Sequence, residues 1–108
     1  YLDNLLADDQ PLDRVTLQDD LDSVPKALPA LMRAAKLQKR AARGGVTVTT
    51  DPAELETLAR RVEAGDNAEA ALGELLFKTA ALARLAGLDP EQALQKANAA
   101  FTAATHQL

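Results

Sequence analysis

The chain has no cysteine and no tryptophan, and only one tyrosine and two phenylalanines in 108 residues. Without thiols it can build neither a disulfide framework nor a thiolate metal site, which fits a reducing cytoplasm. Few aromatics, a net charge of −4 and no helix-turn-helix signature weigh against nucleic-acid binding. No apolar run approaches the roughly 18 residues that span a bilayer. The opening "YLDNLLADDQPLD" is too acidic for a signal peptide, so a soluble protein without a membrane partner is expected. That opening also lacks Met, the expectation being a fragment or processed piece of something longer. Glycines are sparse too: "ARGG" and "VEAGD" are not followed by Lys and Ser or Thr, so no phosphate-cradling loop is present. The one β-branched run, "GGVTVTT" at 44–50, has no second strand candidate to pair with and reads as an extended connector.

What is abundant is helix-forming residue. Hydrophobic residues make up 47% of the chain, and Ala and Leu dominate them, so an all-α fold is expected. The length suits one domain whose apolar surface a partner subunit would help to bury. Charge divides sharply. Residues 1–24 hold seven acids (Asp3, Asp8, Asp9, Asp13, Asp19, Asp20 and Asp22) against Arg14, whereas residues 25–43 hold Lys26, Arg33, Lys36, Lys39, Arg40 and Arg43 and no acid. Residues 1–24 therefore read as an acidic lead-in or linker and 25–108 as the helical domain. The basic segment is either a solvated face, attracted to the acidic one, or a surface for phosphate.

Three stretches, "DPAE" at 51–54, "DNAE" at 66–69 and "DPEQ" at 89–92, carry an Asp with Glu or Gln three residues on, the pattern of an N-cap with its reciprocal partner. Two have Pro at the first helical position, and Gly65 and Gly87 stand where left-handed residues would close the preceding helices. Helices are expected at about 25–43, 52–64, 67–86 and 90–105, in an antiparallel four-helix bundle. On the third of these, Leu72, Leu75, Leu76, Thr79, Ala83 and Ala86 form one stripe, and Phe77, Ala81 and Leu85 lie opposite. A helix apolar on both sides predicts burial on both, and hence a homodimer or larger assembly.

"LDSVPKALPALMRAAKLQKRAAR" (21–43) resembles the segment that opens the C-terminal repeat of MazG proteins, and "ALGELLFKTAALARLAGLDPEQALQKANAAF" (71–101) that repeat's second half, in order and at nearly the family's spacing. MazG proteins are all-α nucleoside triphosphate pyrophosphohydrolases. The resemblance implies helical chains paired as dimers or tetramers, and a magnesium-dependent cut of a nucleoside triphosphate to monophosphate and pyrophosphate. Magnesium takes oxygen ligands, chiefly carboxylates and water, so such a site needs clustered acids. The family provides them as ExxE on one helix and ExxD on the next.

Here the second motif falls on Ala71-Leu72-Gly73-Glu74, so that Ala71 occupies a ligand position and Glu74 is the surviving acid. The first motif falls either on Glu54 and Thr57 or on Asp51 and Glu54, and Glu54 survives in both registers. The metal candidates implied by the resemblance are thus Glu54, Glu74 and Asp51. The family's "RAARVGFDW" stands as "RAARGGVTV", and its Lys and Arg around the last Phe are Ala100 and Ala104. Lys36, Lys39 and Asn98 are the candidate contacts for phosphate or base, and no catalytic residue is assigned.

Each candidate also has a plain role. Glu54 serves as the partner of the Asp51 cap, Glu74 as the i,i+4 partner of Lys78, Asn98 as an interhelical hydrogen bonder, and Lys36 and Lys39 as a solvated face. His106 is assigned nothing. The functions in contention are a MazG-type hydrolase that is weak or inactive for want of magnesium ligands, and a non-catalytic dimerisation or scaffold domain.

Overall fold

The computed structural model describes residues 14–105, and side chains from residue 17 onward. Among these residues the chain is all-helical: α1 (Arg14–Asp22), α2 (Ala30–Arg43), α3 (Pro52–Ala64), α4 (Ala68–Leu85) and α5 (Pro90–Thr105). α2 to α5 are the four helices expected from the sequence, and α1 lies within the acidic stretch that was expected as a linker. His106 and residues 1–13 lie outside the described residues.

Local chemistry sets most boundaries. Asp51 is extended and accepts the Glu54 N–H at 2.8 Å, so α3 starts where its cap and Pro52 place it. Gly65, at φ 74°, closes α3 with two bonds, Gly65 N–H to Val62 O and Asp66 N–H to Arg61 O, the paired arrangement that a left-handed residue permits. Asp89 Oδ1 accepts the N–H groups of Glu91 and Gln92 and caps α5.

Two expectations are corrected. Asp66 is not the cap of α4; the residue in that place is Asn67, in the left-handed region at φ 47°, and its side chain caps nothing. Asp66 is committed to closing α3 and to an ion pair with Arg61 at 3.6 Å. The helix expected from residue 25 begins at Ala30, because Pro29 is extended (φ −52°, ψ 142°) and lacks the N–H that a continuing helix would use. Residues 24–29 instead form turns, with Leu28 N–H bonding Pro25 O.

α3 and α4 form the most extensive helix pair, a hairpin joined at 65–67, and α2 crosses α4. α1 docks on α2, while α5 touches α2 and α4. The core is small and mostly alanine: Ala41, Ala71, Ala80 and Ala81, with Val24 and Leu58. Alanines let helix axes approach closely but bury little area each, so the hydrophobic contribution is modest. The α4 leucines expected inside are largely outside it, with Leu72 43% and Leu76 49% exposed. Among the described residues Gln38 is the one buried polar side chain, and its Nε2 donates to Phe77 O at 2.9 Å, tying α2 to α4.

Candidate functional site

The chain leaves α2 through Gly45, at φ 90°, and residues 46–50 then pass beside α4 without regular secondary structure. Arg84 Nη2 donates to Val48 O at 2.6 Å and Lys78 Nζ donates to Thr49 O at 3.0 Å. These two bonds set the start of α3 beside the middle of α4, where the candidate acids lie.

Glu54 is engaged at both carboxylate oxygens. Thr50 Oγ1 donates to Oε1 at 2.7 Å, and Lys78 Nζ lies 3.5 Å from Oε2. The reciprocal capping arm expected of Glu54 therefore takes the Thr50 hydroxyl. Asp51 is engaged through Oδ1 by the backbone of α3. Glu74 stands one turn before Lys78 on α4 and is exposed. The expected Glu74 to Lys78 pair does not form; among the described residues Glu74 has no hydrogen-bond or ion-pair partner. Lys78 finds two acceptors on the other side, the Thr49 carbonyl and Glu54, which outweigh one exposed pairing worth a few tenths of a kcal/mol.

Ala71, which the resemblance sets at the other acid position, is 1% exposed. It is a packing residue, and a carboxylate there would be desolvated. Asp51, Glu54 and Lys78 are thus brought together, with Glu74 next along the helix. Among the described residues no group of three or more His, Cys, Asp or Glu side chains is placed to hold a metal.

Lys36 and Lys39 lie elsewhere. Both are exposed on α2 and line a groove of about 630 Å³ together with Arg84, Asp89 and the apolar Met32 and Leu88. Asn98 does not line that groove; it is exposed on α5, and its side chain has no partner among the described residues. The interhelical hydrogen bond expected of Asn98 is absent from the described residues. Its backbone carbonyl accepts the Thr102 hydroxyl at 3.0 Å.

Two residues that matter here, Arg84 and Gln38, escaped the sequence reading, and Lys78 was read only as a partner for Glu74. Arg84 and Lys78 act through the connector, a contact 29 to 36 positions distant that no helical spacing reveals. Gln38 could have been found: it interrupts the face carrying Leu31, Ala34 and Ala41, and a polar residue on a core face needs a partner.

No protein-family model matches the chain. Two curated relatives do: the nucleoside triphosphate pyrophosphohydrolases of Escherichia coli strain K12 and of Escherichia coli O157:H7. Each is 41% identical over 92 residues, covering 75% of this chain and 35% of the relative. The chain therefore spans about a third of the length of the relatives it matches. With the all-helical fold, the paired segments around α2 and α4 to α5 and this level of identity, the chain belongs to the MazG family.

Proposed function

We propose that this chain is a MazG-type pyrophosphohydrolase domain whose own conversion of nucleoside triphosphate to monophosphate and pyrophosphate is weak or absent. The observation that carries this reading is the ion pair of Lys78 with Glu54, reinforced by the Thr50 hydroxyl. An ammonium within 3.5 Å of the best-placed carboxylate supplies the positive charge that a magnesium ion would supply in a working site. A hard, octahedral cation needs several oxygens, and of the three candidate acids only Glu74 is unengaged, so the donor set of one protomer does not fit a dedicated magnesium site.

Pyrophosphate release from a nucleotide panel with magnesium, measured for the wild type beside Glu74→Ala, tests it. Equal background from both is the expected result. Turnover that is robust in the wild type and lost in Glu74→Ala would overturn it.

A second observation favours an assembly role. Leu72, Leu76, Leu85, Leu94 and Phe101 are exposed on α4 and α5, and α5 has only Pro90 buried. These two helices carry balanced charge, Glu69, Glu74 and Glu91 against Lys78, Arg84 and Lys96, so a second copy can meet them without like-charge repulsion. In this reading the domain is a homodimer or tetramer that holds a larger MazG-like protein together. Light scattering should then give at least twice the 11.5 kDa chain mass.

A further inference from the structure

We propose that the groove between α2 and the corner joining α4 to α5 binds a small soluble phosphate ester with an apolar body, Lys36, Lys39 and Arg84 receiving the phosphate and Met32 and Leu88 the rest.

α2 carries no acid, yet its bases are not treated alike. Those at its end are answered: Arg43 pairs with Asp20 at 2.8 Å, and Arg40 reaches the Asp20 carboxylate at 3.5 Å and its carbonyl at 3.0 Å. One turn back, Lys36 and Lys39 are exposed and have no hydrogen-bond or ion-pair partner among the described residues. Like charges side by side on a helix are mildly destabilising, and a chain with 16 acids had ample means to pair them.

Arg84 brings a third positive charge to the same groove from α4. Val48 O holds its Nη2, which fixes the guanidinium, while its Nε is enclosed and without a partner. The carboxylate lining the groove, Asp89, is turned to the backbone of α5, where Oδ1 accepts two N–H groups, and so leaves the three cations largely unneutralised. Three separated donors suit a phosphate ester, with close to two negative charges and three strong acceptor oxygens, better than a carboxylate. At about 630 Å³ the groove falls in the range of small-molecule sites, and its apolar side gives the body of the ligand a place.

None of Asp51, Glu54 and Glu74 lines this groove, so the proposal stands apart from the magnesium question. The full chain would be titrated in a chelator, free of magnesium, with phenyl phosphate, with inorganic phosphate and with vesicles containing phosphatidic acid. Variants would be Lys36→Gln with Lys39→Gln, a charge-matched control with Arg60→Gln and Lys96→Gln, and Glu74→Ala. Saturable binding of phenyl phosphate, tighter than inorganic phosphate, is expected in the wild type, the control and Glu74→Ala. It should weaken about tenfold or more in the Lys36 and Lys39 variant, and the Arg84 Nε–H resonance should shift on binding. Absence of saturable binding at millimolar ligand, equal weakening in both double variants, loss in Glu74→Ala, or binding to vesicles alone would each overturn it.

Discussion

Ala71, enclosed at 1% exposure, shows how one side chain can close off a chemistry. An acid placed there would not become a metal ligand, because the carboxylate would enter a packed interior and lose its hydration. Ala71→Glu is expected to lower unfolding stability by about 2–5 kcal/mol, read from a urea transition, without raising pyrophosphate release. Gln38 is the complementary case, a polar group inside whose Nε2 has its partner while its Oε1 is enclosed without one. Replacing Gln38 by Ala removes the bond to Phe77 O and leaves a void, and about 1–3 kcal/mol of stability should go with it in the same measurement.

At the scale of elements, the caps divide into those that act and those that only look as if they do. Asp89 and Asp66 stand in similar patterns, "DPEQ" and "DNAE", but only Asp89 accepts helix N–H groups. Asp89→Ala should therefore cost about 1 kcal/mol. Asp66→Ala loses a surface ion pair at 3.6 Å and should change stability by less than about 0.5 kcal/mol. Thermal melts of the two variants side by side check the assignment. The difference arose because Gly65 ends α3 with a bond from Asp66 N–H, leaving Asp66 on the outgoing side of the turn. Gly65→Ala meets no atom within 4 Å, so the penalty is the left-handed backbone alone, about 1 kcal/mol.

Over the whole molecule, apolar surface and charge are distributed unevenly. One chain leaves Phe101 71% exposed and Leu76 49% exposed while the interior is filled chiefly by alanine. If a second copy covers these leucines, Leu76→Glu with Phe101→Glu should shift the light-scattering mass to 11.5 kDa, whereas the Lys36 and Lys39 variant should leave it unchanged. The acidic stretch and the basic helix meet as their charges suggest, but through Asp20 in a helix of its own, which draws Arg40 and Arg43 and leaves the rest of α2 free for other partners.

The sequence by itself determined the helical class, the ends of α3 and α5 and the family, because these rest on local rules: helix propensity, capping within four residues, and motifs read in order. The start of α2 also follows a local rule, at Pro29, but was expected at residue 25 and lies at Ala30. Only the tertiary structure decided that Lys78 faces Glu54 and not Glu74, that Ala71 is enclosed, and that Arg84 joins Lys36 and Lys39. Each of these depends on where the connector crosses α4 or on how α2 and α4 pack, and such long-range contacts leave no period in the sequence for a local rule to read.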